Sequence, residues 1–80
     1  MSTQADTIRN EIRELIIEVA EIKGLEDNVE FKDSGIDSMM GVEIVSAIER
    51  KYNVQFSDDE LGRVNTLNSA LEIVLSKLPA

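Results

Sequence analysis

The chain has 80 residues, sixteen acidic against eight basic side chains for a net charge of −8, and neither cysteine nor histidine. That length permits one small domain burying only roughly 60% of its unfolded surface, and the composition removes disulfides, thiolate nucleophiles, Cys/His zinc sites and every Ser-His-Asp arrangement. The excess negative charge repels nucleic acid and anionic membrane surfaces at long range and favours basic protein partners.

Met1 to Asp6 carry neither a basic start nor an apolar run, and no segment approaches the ~20 apolar residues that span a bilayer. The expectation is an untargeted, soluble, cytoplasmic monomer. There is no repeat or low-complexity tract, and the one proline is Pro79, so a single domain over 1–80 is expected.

Ile8, Ile12, Leu15, Ile16 and Val19 follow helical spacing, with Arg9, Glu11, Arg13, Glu14 and Glu18 on the other side. The spacing predicts helix one from Thr3 or Asp6 to Lys23, stopped by Gly24. From Leu25 to Asp37 the chain is polar, but Leu25, Val29 and Phe31 recur at intervals, which predicts a long loop dipping side chains into the core. Loops of this length are often functional. Gly35 fits a turn with unusual backbone angles just before Ile36-Asp37-Ser38.

Helix two is predicted from Ser38 to Tyr52, with Gly41, Ile44, Val45, Ile48 and Tyr52 in one buried arc. Met39, Val42, Glu43, Ser46, Glu49 and Arg50 then face outward, a mixed face that suits docking. Val54 and Phe56 return the chain to the core, and Ser57-Asp58-Asp59-Glu60 reads as a capping box with acids in the first turn. Helix three is short, Asp58 to Val64, with Leu61 and Val64 inward. Thr66 caps a fourth helix whose stripe is Leu67, Ala70, Leu71, Val74, Leu75 and Leu78, stopped at Pro79. The fold class is all-α, a four-helix bundle of three longer helices and one short one.

Asp37-Ser38-Met39 is the most informative stretch. It places a serine hydroxyl at a helix start, where unpaired N–H groups and a partial positive charge welcome a phosphodiester. Asp and Ser are also the commonest helix caps, which contribute about 1 kcal/mol without any function.

Asp33-Ser34-Gly35-Ile36-Asp37-Ser38-Met39, with Val42-Glu43-Ile44-Val45 and Ile48-Glu49, resembles the signature of the phosphopantetheine-binding acyl carrier proteins over nearly the whole chain. The family pattern is Asp-Ser-Leu at the start of helix two, an upstream glycine in the loop and an acidic turn before helix three. Gly35, Asp37-Ser38 and Ser57 to Glu60 match it, and Met39 replaces the leucine conservatively. The resemblance implies 4′-phosphopantetheine esterified to Ser38 by a separate magnesium-dependent phosphopantetheinyl transferase acting on coenzyme A. Asp37 would support the transfer, by holding the Mg²⁺ or its waters. It further implies a non-catalytic carrier of acyl or polyketide thioesters. Its partners would be acyl transferases, ketosynthases or related synthase enzymes whose basic patches dock on Met39, Val42, Glu43, Ser46 and Glu49. Arg50 departs from the strongly acidic version of this helix. An acyl chain could slip between helices near Ile44, Leu61 and Val64.

Other readings compete. A peptidyl or aminoacyl carrier of a nonribosomal pathway shares the fold and the serine, and an acidic interaction domain would need no prosthetic group. A doubly phosphorylated degradation signal at Ser34 and Ser38 would require a flexible segment, whereas Ser38 opens a patterned helix. A calcium loop counted from Asp33 would need Gly at its sixth position and Glu at its twelfth, where the chain has Ser38 and Ile44.

Overall fold

The computed structural model describes residues 4–78. In chain order it contains α1 (Gln4–Ala20), a 3₁₀ turn (Phe31–Ser34), α2 (Ser38–Tyr52), α3 (Asp58–Arg63) and α4 (Leu67–Lys77). This is the all-helical bundle with a short third helix that the apolar patterning predicts.

Ile8, Ile12, Ile16 and Ala20 form the buried stripe of α1, which packs against both α2 and α4. The six largest fully buried side chains are Ile12, Ile16, Ile44, Ile48, Leu67 and Val74. Each contributes on the order of 1.5–3 kcal/mol by leaving water. One core therefore joins the three longer helices.

Helix α1 ends at Ala20, not at Lys23, and Gly24 is not its stop. Glu21 adopts the left-handed conformation (φ 55°) and the Ile22 N–H donates to the Ile17 carbonyl at 3.2 Å. That six-to-one bond is the Schellman closure, and it turns the chain early enough for Leu25 to reach the core. Thr3, one of the two expected starts, lies outside the described residues; the helix is already formed at Gln4, ahead of the other, Asp6.

Arg9 and Arg13 do not simply face solvent. Arg13 pairs with Asp27 and donates from Nε to the Leu25 carbonyl at 3.0 Å, while Arg9 Nε lies 3.7 Å from Asp27 Oδ2. These contacts strap the following loop to α1. Its other end is held across the bundle, where the Phe31 N–H donates to the Asn65 carbonyl at 2.8 Å and the Asn68 N–H to the Asp27 carbonyl at 3.1 Å.

The expected long loop is thus partly ordered as the 3₁₀ turn. Gly35 closes it at φ 83°, and the Ile36 N–H donates to the Phe31 carbonyl at 3.0 Å. A side chain at that φ would cost roughly 1–2 kcal/mol, so the glycine meets a backbone requirement. Phe31 and Ile36 are buried as a result, and Ile36 delivers the chain to the start of α2.

Helix α2 buries Ile44, Val45 and Ile48 and ends at Asn53, also left-handed (φ 56°). Tyr52, expected within the buried arc, is half-buried and donates from its hydroxyl to Glu11 Oε1 at 2.7 Å. Helix α3 departs further from expectation, because it contains no buried residue and Leu61 is 40% exposed. At six residues it is too short to bury a stripe and is held by its ends. Ser57 Oγ accepts from the Glu60 N–H, Glu60 Oε1 accepts from the Ser57 N–H, and the same oxygen lies 2.8 Å from Lys77 Nζ.

Thr66 and Ser69 form a second capping box for α4, which buries Leu67, Ala70, Leu71 and Val74 as predicted, and Ile73 in addition. Leu75 and Leu78 are only half-buried. The expected stop, Pro79, lies outside the described residues.

Candidate functional site

The structure separates the roles of Asp37 and Ser38. Asp37 is the N-cap of α2: its backbone is extended and its Oδ1 accepts from the Met40 N–H at 2.9 Å. The Gly41 N–H donates to the Asp37 carbonyl at 2.9 Å, closing the first turn. Ser38 is therefore the first helical residue, exposed, and its hydroxyl has no hydrogen-bond partner among the described residues. A capping serine would have its oxygen engaged by the helix; here that role falls to Asp37 and the Ser38 hydroxyl is not engaged.

Ser38 stands at the edge of an open cleft of about 350 Å³. One wall is a single face of α2, in which Ser38, Gly41, Val42 and Val45 follow the i, i+3, i+4, i+7 pattern of helical neighbours. Leu61 and Val64 form the opposite wall, and Phe31 and Ile36 come from the 3₁₀ segment. Polar groups from Lys32, Asp37 and Asn65 also border it. Apolar side chains dominate a volume more than twice the ~150 Å³ of an engineered apolar cavity that accepts benzene.

The three apolar residues grouped by sequence near an acyl chain do not all meet there. Leu61 and Val64 line the cleft, whereas Ile44 is fully buried in the core behind it. Phe31, Ile36, Gly41, Val42 and Val45 are additional lining residues. The i+3, i+4, i+7 spacing counted from Ser38, rather than from the centre of the buried arc, is the signal that finds the three α2 positions. Nothing local points to Phe31 and Ile36, whose placement depends on the loop's bonds to Asn65 and Asn68.

On the outer face of α2, Met39 is 78% and Val42 63% exposed, with Glu43 exposed beside them. Val42, Glu43, Ser46 and Arg50 border a shallow depression with Ala47 and with Val19 of α1. Glu49 turns away from this group. It is half-buried, and its Oε2 accepts from the Phe56 N–H at 2.8 Å, holding the segment that leads to α3.

A family model for the phosphopantetheine attachment site matches residues 10–74. Polyketide-8 synthase acyl carrier protein 2 of Streptomyces avermitilis is 32% identical over 73 residues, covering 88% of this chain and 84% of that protein. Anthracycline acyl carrier protein DpsG of Streptomyces peucetius is 43% identical over 54 residues, covering 68% of this chain and 64% of that protein. An acyl carrier protein of Buchnera aphidicola is 29% identical over 73 residues, covering 88% and 91%. The fold matches the solution structure of the HMG-ACPI domain from the CurA module of Lyngbya majuscula with a TM-score of 0.75, at 23% identity over 96% of this chain and 89% of that one. With the match spanning the loop, the free serine and the cleft alike, the chain belongs to the phosphopantetheine-bearing acyl carrier protein family, whose members are carriers and not enzymes.

Proposed function

We propose that Ser38 is the attachment residue for 4′-phosphopantetheine and that the chain carries acyl or polyketide intermediates to synthase enzymes. The observation that carries this reading is the free Ser38 hydroxyl at the mouth of an apolar cleft, with the capping role taken by Asp37.

The residues present fit the group. Ser38 Oγ is exposed and unbonded, so an ester can form there without disturbing the helix. Asp37 Oδ1 occupies the Met40 N–H, and a phosphodiester on Ser38 would lie in the remaining positive field of the α2 N-terminus. In the transfer, Ser38 Oγ forms the new bond to phosphorus and the nucleotide half of coenzyme A leaves. The serine proton passes to a base on the transferase, because this chain has no histidine to take it. Among the described residues no cluster of acidic side chains is arranged to hold a metal ion. Asp37 would offer one carboxylate to the Mg²⁺, the other ligands coming from the transferase and coenzyme A.

The prosthetic group supplies the thiol that this cysteine-free chain lacks. The cleft shelters the acyl portion of the cargo between α2 and α3, with Leu61, Val64 and Val45 as its apolar contacts. Met39, Val42 and Glu43 form the exposed docking face for the phosphopantetheinyl transferase, acyl transferases and ketosynthases, with Ser46 at its edge. Glu49 serves the following segment instead. The names of the two Streptomyces relatives favour polyketide intermediates as cargo. Among the described residues no helix is long and apolar enough to cross a membrane.

Intact mass before and after incubation with coenzyme A, Mg²⁺ and a broad-specificity phosphopantetheinyl transferase tests the site. One added arm on the wild type and none on Ser38→Ala is the expected result. An arm on Ser38→Ala, or none on the wild type when a control carrier is modified, refutes it.

A further inference from the structure

Gly41 occupies an unusual place on α2. It lies one turn after Ser38 on the face that lines the cleft, between Ser38 at the mouth and Val45 at the buried end. A glycine inside a helix destabilises it relative to alanine, and such a residue is usually kept because the backbone needs a positive φ or because a side chain would collide. Neither applies. Gly35 is the one glycine with positive φ among the described residues, and a Cβ built on Gly41 meets nothing within 4 Å.

What a side chain at position 41 would do is occupy the cleft. The helix rises roughly 10 Å from Ser38 to Val45, and any group tethered at Ser38 that reaches the buried end must pass position 41. We infer that Gly41 is a specificity-determining gap: its missing side chain opens the path from Ser38 into the cleft, so the residue at position 41 sets how much acyl chain the bundle accepts. The inference rests on the proposed attachment at Ser38 and the proposed use of the cleft. It adds that α2 gives up helix stability at this position for access.

Gly62 supplies an internal control. It too lies within a helix, in α3, without positive φ and with open space around a built Cβ, but it does not line the cleft. Replacing either glycine by alanine should raise the Tm of the unloaded protein, by about 2–8 °C for a domain of this size. Only position 41 should affect what happens on loading.

The experiment loads wild type, Gly41→Ala, Gly41→Leu and Gly62→Ala with acetyl- or octanoyl-coenzyme A through the transferase. It records the Tm of each loaded form against its own unloaded form, with amide chemical shifts of Val45, Leu61 and Val64 as a second readout. Wild type and Gly62→Ala should gain more from octanoyl than from acetyl. Gly41→Ala should gain less than wild type, and Gly41→Leu should show neither the octanoyl gain nor the shift changes. Equal octanoyl gains in wild type, Gly41→Ala and Gly41→Leu overturn the role of Gly41 while leaving the cleft's use intact. Retained gain together with slowed loading overturns it too and assigns the glycine to docking. No octanoyl effect in wild type itself refutes the use of the cleft, and the inference with it.

Discussion

Asp37→Ala and Ser38→Ala should differ sharply in their cost to stability, although the residues are adjacent. Asp37 caps α2 through a 2.9 Å bond from the Met40 N–H and places a negative charge at the helix N-terminus. Losing such a cap costs about 0.5–2 kcal/mol, and losing the charge at an exposed terminus costs about 0.3–1 kcal/mol more. Water takes up part of the freed N–H, because the bond is exposed, so a total of about 1–2 kcal/mol is expected. In a domain of this size that lowers Tm by roughly 4–16 °C. Asp37→Asn keeps the acceptor and should lose only the charge contribution. Ser38 has no hydrogen-bond partner among the described residues, so Ser38→Ala should stay within about 0.5 kcal/mol of wild type. Thermal unfolding of the unmodified proteins, followed by far-UV circular dichroism, measures all three. A loss at Ser38→Ala as large as that at Asp37→Ala would refute the division of roles. The serine would then be a cap, and its reading as a free nucleophile would fall.

Packing predicts that Ile48→Ala, at a fully buried site, costs about 2–5 kcal/mol in urea unfolding, whereas Leu61→Ala costs less than about 1 kcal/mol because Leu61 is 40% exposed. Glu60 has its pKa lowered from 4.5 to about 2, first by its hydrogen bond with Lys77 and then by the Ser57 N–H. A depressed carboxylate pKa contributes stability that is present above pH 4.5 and lost as pH falls toward 2. The stability difference between wild type and Lys77→Met should therefore shrink across that window. The Tyr52 phenol is pushed well above its ordinary pKa of 10.0 by burial, by its hydrogen bond to Glu11 and by that residue's charge. Stability linked to the neutral phenol is complete below pH 10 and declines above it. Spectrophotometric titration should find the folded tyrosine still protonated at a pH where the urea-unfolded chain is largely ionised, and Glu11→Gln should narrow the gap.

Helices α1, α2 and α4 are legible because each is long enough for a 3.6-residue period to show, and because Asp37 and Thr66 are the polar residues that the caps of α2 and α4 require. Two departures from the sequence pattern have a common cause. Gly24 marks a natural end for α1, yet Glu21 takes the left-handed turn, and the apolar pattern places Leu61 inward, yet α3 buries nothing. Both readings treat a local preference as decisive where contacts distant in sequence decide. Leu25 enters the core only if α1 stops at Ala20, and Asp27 binds Arg13 and Asn68 from opposite sides of the loop. The cleft was half legible for the same reason: its α2 wall is a periodic pattern, while Phe31 reaches it through a bond to the Asn65 carbonyl.

The distribution of burial explains how one small domain would hold the proposed attachment point, Ser38, firmly and still admit the proposed cargo. Ile44, Val45 and Ile48 lock α2 to the core, so the first turn, with Asp37 and Ser38, projects from a rigid element. Facing it across the cleft is α3, six residues with Gly62 inside, no buried side chain, and an ion pair from Glu60 to Lys77 at its outer side. Side-chain burial is what makes opening of a segment costly, so α3 can yield at far less cost than α2. Displacement of Leu61 and Val64 would then widen the cleft without disturbing the six fully buried residues, none of which belongs to α3. A chain with stability spread evenly over all four helices could open such a cleft only by loosening the helix that carries Ser38.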